Sequence, residues 1–363
     1  MASGTEAPLV VHVSPTYFAP ESVIGGGERY VEELARAMSA RVPVRFVSFG
    51  PRGFRDRVNE RYERVILRSW TRSRMTPFSP DLFRELRGAR VIHCFQLNTL
   101  PTFLSVVFGR LQNSATYVSD LGGGGWTPGY QIDLGRWLKG HLPISKYAAR
   151  GVPPGHANAG VIYGGVDLEK FPARTGLSND GSVVFLGRIL PHKGIHTLID
   201  GLPPDRLLRV IGPVGSQDYL RQLMRRAAGK RVEFLHDLSD AEVAERLRHA
   251  AVLVHPTPVD RDGSAGTNEL LGLAVLEAMA SNCPVVVSAA GSLPELVEDE
   301  VSGLVVPPNE PGTIRDAIRR VTEDQDLWTQ LAVNGRERVE RQFTWPRVVE
   351  SCLRAYDITS DRA

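Results

Sequence analysis

The sequence is poor in the features that mark several common classes of protein. Its 363 residues carry 43 Lys and Arg against 41 Asp and Glu, and the formal net charge of +2 argues against a general nucleic-acid-binding protein. The longest apolar run near the start spans residues 9–13, which is too short for the core of a signal peptide or for a membrane span. These shortages favour a globular protein of the cytoplasm.

Cysteine is scarce as well. Cys94, Cys283 and Cys352 are odd in number, far apart and set among apolar residues, which is typical of reduced core thiols. The sequence contains no P-loop, no H-E-x-x-H and no paired C-x-x-C. His192 and His196 stand four residues apart without an evident third ligand, so we expect neither a metal ion nor a bound cofactor.

What the sequence does contain is a regular alternation of short β-branched runs with helical patterns such as 27–40 and 239–250. Most runs are apolar throughout, the pattern of strands that are covered on both faces in a parallel sheet. We expect strands at 9–13, 43–49, 90–95, 114–119, 159–164, 182–187, 207–212, 231–235, 251–256, 283–288 and 303–308. The alternation and the chain length predict an α/β fold of two doubly wound, Rossmann-like domains.

A change in composition marks the boundary between the two series. Residues 170–181 contain Pro172, Gly176 and Gly181 among polar residues, so we place a linker there. Ligands of doubly wound sheets bind at the carboxyl ends of the strands. We therefore expect a site in the cleft where the two domains face each other.

Two basic residues follow one of the predicted strands. The stretch "SVVFLGRILPHKG" (182–194) places Gly187, Arg188 and Lys193 just past the carboxyl end of the strand. Arginine offers a fork of donors and lysine a point charge, so the pair suits a phosphate or a diphosphate. A solvated basic loop explains such a pair equally well.

Three glycines directly precede the first predicted helix. Gly25, Gly26 and Gly27 would let backbone N–H groups approach an anion at the start of that helix. Their spacing is not the dinucleotide-binding G-x-G-x-x-G, which argues against a dehydrogenase. A plain flexible turn is the alternative.

Two glutamates frame an otherwise apolar stretch, "NELLGLAVLEAM" (268–279). A buried, unpaired carboxylate is costly, so Glu277 must be paired, neutralised or committed to a ligand. Gly272 indicates that the helix begins near 271–273, with Glu269 in the loop before it and the helix amino terminus aimed at a diphosphate. The separation of the two glutamates matches the two ends of a nucleotide-sugar. A structural ion pair for each glutamate is the alternative.

Further candidates lie at other strand ends. Asp120 follows one predicted strand and precedes a glycine run at 122–125. His93 and His255 lie in or at the end of apolar strands whose ends face the predicted cleft. A hydrogen-bonded core histidine is the ordinary alternative for each of the two.

The order of these motifs resembles glycosyltransferase family 4, retaining enzymes with the two-domain GT-B fold. The resemblance covers about residues 9–350 and rests on "GGGERYVEELARAM" (25–38), "PISKYAAR" (143–150), "VIYGGVDLEKF" (161–171), "FLGRILPHKG" (185–194), "NELLGLAVLEAMASNCPVVVS" (268–288) and "GSLPELVEDEVSGLVVPP" (291–308). "FTW" (343–345) looks like the lead-in to the last helix of this fold. The resemblance implies an acceptor-side domain of residues 1–172, joined by a returning C-terminal helix at about 346–363, and a donor-binding domain of residues 173–345.

The resemblance also implies roles for the candidate residues. Arg188 and Lys193 would bind the donor diphosphate and stabilise it as it leaves. Glu277 would accept hydrogen bonds from the ribose, and Glu269 would lie near the donor sugar. Further donor contacts would come from Gly25, Gly26, Gly27, Gly187, Gly272 and Leu273. No metal takes part in this family, so cationic groups and helix-start amides must offset the departing charge.

Two positions depart from the family pattern. Ser119 stands where many relatives have a histidine before the aspartate, which leaves Asp120 or His93 as the catalytic candidate that contacts the transferred sugar. Asn282 replaces a glycine after the glutamate helix, a change without consequence because Asn also tolerates the left-handed conformation at a helix end.

The resemblance implies a metal-independent, retaining transfer of a sugar from a nucleoside diphosphate to a hydroxyl acceptor. UDP is the first expectation for the nucleotide and GDP-mannose the second, because UDP is the commonest donor nucleotide in the family. Two alternatives are a sugar-nucleotide epimerase of the same fold and a non-catalytic binder of nucleotide-sugars.

The segment 51–74 concentrates positive charge, with eight arginines against Asp56, Glu60 and Glu63. The N-terminal domain of the family usually holds the acceptor. We therefore expect this segment to attract a phosphate-bearing acceptor or the anionic inner face of a membrane, with Phe54 and Trp70 as apolar anchors. A solvated, arginine-rich surface is the alternative.

Overall fold

The structure is a computed structural model that describes residues 9–17, 25–73, 75–122, 131–176, 178–259 and 269–358. The chain divides into two compact units. The first unit consists of Met1–Tyr163 with Trp345–Ala363, and the second of Gly164–Thr344.

The first unit contains a seven-stranded sheet. Its strands are β1 (Val10–Tyr17), β2 (Val44–Gly50), β3 (Phe54–Asn59), β4 (Tyr62–Arg68), β5 (Val91–Phe95), β6 (Ala115–Ser119) and β7 (Gly140–His141). Its helices are α1 (Gly26–Met38), α2 (Leu82–Leu86), α3 (Leu100–Leu111), α4 (Lys146–Ala149) and, at the end of the chain, α12 (Trp345–Ala355). The strand order is β3-β4-β2-β1-β5-β6-β7, and every pair is parallel except the β3–β4 hairpin.

The second unit contains a six-stranded, wholly parallel sheet of order β10-β9-β8-β11-β12-β13. Its strands are β8 (Val183–Leu186), β9 (Leu208–Ile211), β10 (Val232–Leu235), β11 (Val252–His255), β12 (Val285–Ser288) and β13 (Leu304–Val306). Its helices are α5 (Ile195–Gly201), α6 (Gln217–Arg226), α7 (Asp240–His249), α8 (Leu273–Ala280), α9 (Leu293–Leu296), α10 (Pro311–Glu323) and α11 (Gln325–Gln342).

Both sheets have the doubly wound order 3-2-1-4-5-6, once the antiparallel β3 is set aside. The direction of winding reverses between β1 and β5 in the first unit and between β8 and β11 in the second. Ligands of such sheets bind at this switch point, beyond the carboxyl ends of the two strands. The prediction of two doubly wound α/β domains is confirmed, and each unit offers one switch point.

The division between the units lies before the boundary at 172/173 that the sequence predicted. The backbone N–H of Val166 donates to the carbonyl of Phe343 over 2.9 Å, and the Arg336 guanidinium donates to the carbonyl of Phe171 over 3.1 Å. These contacts attach residues 164–171 to the second unit, so the chain enters that unit before the polar linker.

The prediction of a strand at 159–164 is wrong. Ala159 and Ile162 donate hydrogen bonds to the carbonyls of His141 and Pro143, but Asn158 forms only an isolated bridge and the segment joins no ladder. The sequence also missed β3, β4 and β7, which together form the two edges of the first sheet.

The last helix lies against the first unit, as the sequence predicted. Tyr117 Oη donates to the carbonyl of Ala355 over 2.6 Å, and the rings of Tyr30 and Trp345 are 5.4 Å apart. Within the described ranges, no helix combines the length and apolar character that crossing a bilayer requires.

Candidate functional site

The second unit brings several predicted residues together at its switch point. The loop after β8 and the segment after β11 leave neighbouring strands and meet again at Gly194. Gly194 has φ +69°, and a Cβ there would overlap the carbonyl oxygen of Pro256. Only glycine fits this position without strain, because it combines a left-handed conformation with a close backbone approach. The contact fixes the preceding residue, Lys193, beside the end of β11.

Lys193 forms an ion pair with Glu269, and the two side chains are only 15% and 12% exposed. Two further hydrogen bonds hold Glu269 in place. The Glu269 carbonyl accepts from Ser292 N–H over 2.8 Å, and Glu269 Oε1 accepts from Gly272 N–H over 3.3 Å. The structure therefore joins residues for which the sequence predicted two separate ligand contacts.

The surroundings of Glu269 keep it ionised. Burial by itself would raise the pKa of this carboxyl. The Lys193 ammonium, His255, and the hydrogen bonds from Lys193 and from Gly272 N–H oppose that effect and lower the pKa to about 2. At neutral pH the site therefore holds a carboxylate.

His255 completes a short polar chain beside this carboxylate. Its Nε2 lies 3.5 Å from Glu269 Oε2, and its Nδ1 lies 3.0 Å from Thr257 Oγ1. The Thr257 carbonyl accepts in turn from Ser288 Oγ over 2.6 Å. Burial lowers the pKa of His255 to about 4, so the ring is neutral at pH 7 and its orientation is set by Glu269 and Thr257.

Arg188 differs from Lys193 in its partners. It is half-buried just beyond β8 and, among the described residues, neither pairs with a carboxylate nor donates a hydrogen bond. His192 on the same loop has a pKa lowered by burial and by the nearby Lys193 and Arg188 cations. Since Lys193 is offset by Glu269, Arg188 supplies the positive charge of this loop that no described carboxylate compensates.

Helix α8 begins at Leu273, inside the range that the sequence predicted. Gly272 caps it with φ +67°. The first amides of a helix have no partner within the helix and carry partial positive charge, so the start of α8 favours an anion. Glu269 precedes the helix, and Glu277 lies about one turn inside it at 4% exposure.

The glycines before α1 offer fewer free backbone N–H groups to an anion than the sequence predicted. Gly25 is buried and extended, and its N–H donates to Glu28 Oε2 over 2.9 Å. Gly26 is exposed and Gly27 half-buried in the first turn of α1. The amide of Gly25 is thus occupied by a carboxylate of the chain itself.

Asp120 lies half-buried directly after β6. Burial raises the pKa of this carboxyl, and hydrogen bonds from the N–H groups of Gly122 and Leu97 oppose the rise. The Gly122 bond is 3.2 Å long. The remaining glycines of the predicted run, 123–125, lie outside the described residues, as does the loop 260–268 before Glu269.

His93 belongs to the core of the first unit. It is fully buried, with Nε2 2.8 Å from Ser119 Oγ and Nδ1 2.7 Å from Tyr356 Oη. Burial and the neighbouring His12 hold its pKa well below the ordinary range. Both ring nitrogens are occupied, so the arrangement matches the core alternative rather than a contact to a sugar. Ser119, in the position of the family histidine, is equally buried and donates to the Leu142 carbonyl over 2.6 Å.

The sequence did not identify Thr257 and Ser288, which support His255. The signal available was their position, since each lies at or just after the carboxyl end of a strand beside the switch point. Across the described ranges, no three His, Cys, Asp or Glu side chains are grouped so as to hold a metal ion.

Comparison with solved structures defines the class of fold. The chain is similar to sucrose-phosphate synthase from Thermosynechococcus elongatus, with a TM-score of 0.74 at 21% identity over 96% of this chain and 98% of that one. It is also similar to Anabaena Alr3699/HepE, solved in complex with UDP and glucose, with a TM-score of 0.72 at 18% identity over 96% and 99% of the two chains. The fold is therefore the GT-B fold of glycosyltransferases.

The family comparison identifies the second unit more closely. Residues 168–338 match the model of "Glycosyl transferases group 1", so this part of the chain carries a domain of that family. The chain is 33% identical over 226 residues to D-inositol 3-phosphate glycosyltransferase of Geodermatophilus obscurus, covering 55% of this chain and 47% of that protein. It is 32% identical over 199 residues to GDP-mannose-dependent alpha-(1-6)-phosphatidylinositol monomannoside mannosyltransferase of Mycobacterium tuberculosis, covering 50% and 51%. The chain thus spans about half the length of these relatives.

Proposed function

We propose that the protein transfers a hexose from a nucleoside diphosphate to a hydroxyl acceptor, with retention of configuration and without a metal ion. The observation that carries the proposal is the switch point of the second unit. There an arginine without a carboxylate partner among the described residues, a buried lysine–glutamate pair and the start of an apolar helix adjoin one another within the matched domain.

The roles follow from charge and position. Arg188 and the amides at the start of α8, at Gly272 and Leu273, bind the diphosphate, and the Gly272 N–H exchanges Glu269 Oε1 for a phosphate oxygen to do so. Lys193 exchanges Glu269 for a phosphate oxygen when the donor binds, which frees the Glu269 carboxylate for the hydroxyls of the sugar. Glu277 binds the ribose. Transfer of negative charge to the leaving diphosphate is then stabilised by cations already in place.

The nucleotide is proposed in the same order as the sequence suggested, UDP first and GDP-mannose second. A solved relative binds UDP and glucose, and a curated relative is named GDP-mannose-dependent. For the acceptor side, we propose Asp120 as the group that contacts the transferred sugar, because the arrangement of His93 leaves it no free ring nitrogen. We place the protein in the cytoplasm.

The proposal is tested by incubating the protein with UDP-sugars and GDP-mannose and measuring released nucleoside diphosphate. We expect slow release in water and faster release with an acceptor, unaffected by EDTA, and an α-linked product from an α-linked donor by NMR. Interconversion of sugars without release would indicate an epimerase. A rise in melting temperature without any turnover would indicate a non-catalytic binder.

A further inference from the structure

An exposed tryptophan lies among exposed arginines on the first unit. Trp70 is 71% exposed, and Arg68 and Arg72 precede and follow it in the loop that leaves β4. Arg52 lies in the turn between β2 and β3, next to Gly53, whose Cβ would lie 3.2 Å from the backbone nitrogen of Arg68. We call Arg52, Arg68, Trp70 and Arg72 the edge patch. Arg52 follows the carboxyl end of β2, Arg68 is the last residue of β4, and Trp70 and Arg72 follow β4.

The exposure of Trp70 is a built feature of the loop. The backbone N–H of Trp70 donates to the Phe78 carbonyl over 2.8 Å, and the backbone N–H of Phe78 donates to Ser69 Oγ over 3.1 Å. The Trp70 ring meets the Phe78 ring edge-on at 5.5 Å. Hydrogen bonds on both sides of the loop therefore hold a large, amphipathic aromatic side chain at the surface, where its ring is available to a partner.

Two arginines of the β3–β4 hairpin are paired with carboxylates of the first unit. Arg55 pairs with Glu63 and Glu85, and Arg64 pairs with Glu32 and Asp56. These pairs are internal to the unit and neutralise much of the positive charge that the sequence shows between 51 and 74.

The arginines of the edge patch have no such partners. In the part of the chain that the structure describes, Arg52, Arg68 and Arg72 form no ion pair and no side-chain hydrogen bond. Arg74 lies outside the described residues. Arg57 and Arg61 also lack an ion pair among the described residues, but they lie by the turn between β3 and β4, so the unpaired charge near Trp70 comes from Arg52, Arg68 and Arg72.

We propose that the edge patch docks the protein on an anionic phospholipid bilayer. Tryptophan favours the headgroup level of a bilayer, where its ring is apolar and its N–H remains hydrated. Arginines beside it bind lipid phosphates through forked donors and gain from the negative surface potential. Asp120 also follows the carboxyl end of its strand in this sheet. Docking through the edge patch therefore turns the carboxyl ends of the strands, where Asp120 lies, toward the membrane.

The shape of the patch favours a surface over a small anion. Small anions bind in concave sites where several donors converge and are largely buried. Here the three arginines are exposed and come from the turn before β3, the end of β4 and the loop beyond it. Such a spread arrangement matches a layer of headgroups. The proposal concerns binding alone and holds whether or not the protein transfers a sugar.

The test is sedimentation with vesicles of phosphatidylcholine, with and without phosphatidylglycerol, at low and moderate salt. We expect binding only to the anionic vesicles, weakening as salt rises. Changing Arg52, Arg68 and Arg72 together to glutamine should lower the affinity about a hundredfold, roughly fivefold for each arginine at about 1 kcal/mol each.

The chain offers a matched control at the opposite edge of the same sheet. Arg61 precedes β4, and Arg87 and Arg110 lie at the ends of α2 and α3; all three are exposed. Changing these three to glutamine removes the same charge and should leave vesicle binding within about twofold of wild type. Likewise Trp70→Ala should weaken binding, and Trp137→Ala, at another exposed tryptophan of this unit, should not.

Three results would overturn the proposal. One is the absence of binding to anionic vesicles at low salt. Another is an equal loss in the two triple variants, since the effect would then be one of net charge. The third is displacement by inorganic phosphate at concentrations too low to screen charge, which would make the patch a small-anion site. Release of nucleoside diphosphate from a soluble donor, measured without vesicles, should be the same in both triple variants.

Discussion

Arg188 and Lys193 lie on one loop but differ in what compensates their charge. Lys193 rests against Glu269, whereas Arg188 has no acidic partner among the described residues. A preorganised cation without a competing carboxylate acts on a leaving group at no cost of rearrangement. Arg188 is therefore expected to matter most in the transition state.

Replacing Arg188 with alanine should lower kcat by roughly 10²–10³ and change KM much less, the effect expected for losing one preorganised electrostatic contact. Steady-state kinetics on a soluble donor measure this. Arg225→Ala is the control, because Arg225 is exposed on α6 of the same unit. Full activity of Arg188→Ala would remove this residue from the proposed site.

The two glutamates should separate binding from turnover. Glu277→Gln should weaken binding of the nucleoside diphosphate itself, because the ribose would lose a charged acceptor inside α8. Glu269→Gln should leave that binding within a few-fold and reduce turnover. Titration calorimetry with UDP and GDP, alongside the kinetics, distinguishes the two. Equal nucleotide affinity in wild type and Glu277→Gln would contradict the assignment of the ribose.

At the scale of elements, the short turn before α5 positions the cationic loop. Its backbone passes so close to Pro256 that a single added methyl group at Gly194 cannot be accommodated. The loop is therefore in direct backbone contact with the residue after β11, and the geometry of Lys193 depends on the glycine that makes this contact.

Gly194→Ala should lower stability by about 2 kcal/mol or more, from left-handed strain and overlap together, and should also reduce turnover. Thermal unfolding and kinetics measure the two effects. Gly312→Ala in the first turn of α10 is the control, since no heavy atom lies within 4 Å of the added Cβ. If the two variants have the same melting temperature, the close approach at Pro256 does not constrain the loop.

Most of the strands that sequence patterns identified are buried on both faces. Strands such as β8 and β11 are continuous apolar runs, which is the pattern expected for strands of a parallel sheet that is covered on both faces. β3 and β4 escaped because their stability depends on partners distant in sequence, such as the contact of Arg55 with Glu85. The pairing of Lys193 with Glu269 depends likewise on tertiary contact across 76 residues, which no local pattern encodes.

At the scale of the whole molecule, buried histidines make the fold sensitive to acid. Burial lowers the pKa to about 3 for His12 and to about 4 for His141 and His255. In the unfolded chain each would titrate near 6.5. Below that pH the unfolded state binds more protons than the folded state, so stability is complete above about pH 6.5 and is lost as the pH falls toward these lowered values.

His12 offers the clearest test of this effect. It is fully buried between the rings of His93 and Phe95, and neither of its ring nitrogens has a hydrogen-bond partner in the described structure. His12→Leu should reduce the loss of stability between pH 7.5 and pH 5 by about 2 kcal/mol, or about 1.4 kcal/mol for each pH unit below 6.5.

Melting temperatures across this pH range test the prediction. A change in packing that is the same at every pH cancels when the change in stability with pH is compared between His12→Leu and wild type. His249→Leu, at an exposed histidine that contacts Glu245 on the surface of α7, should change the slope much less, because an exposed ion pair contributes little to stability. An unchanged slope in His12→Leu would mean that His12 does not contribute to acid unfolding.

The first unit is assembled from the two ends of the chain, with α12 supplying its last helix. During synthesis on a ribosome, the whole of the second unit must be translated between Tyr163 and Trp345. At about 5–20 residues per second, this takes roughly 10–40 s. For that time the nascent first unit lacks α12, and the faces of Tyr30, His93 and Tyr117 that this end of the chain covers are open to water or to a chaperone. The second unit is continuous and has no such wait, so the order of translation gives it the first opportunity to fold.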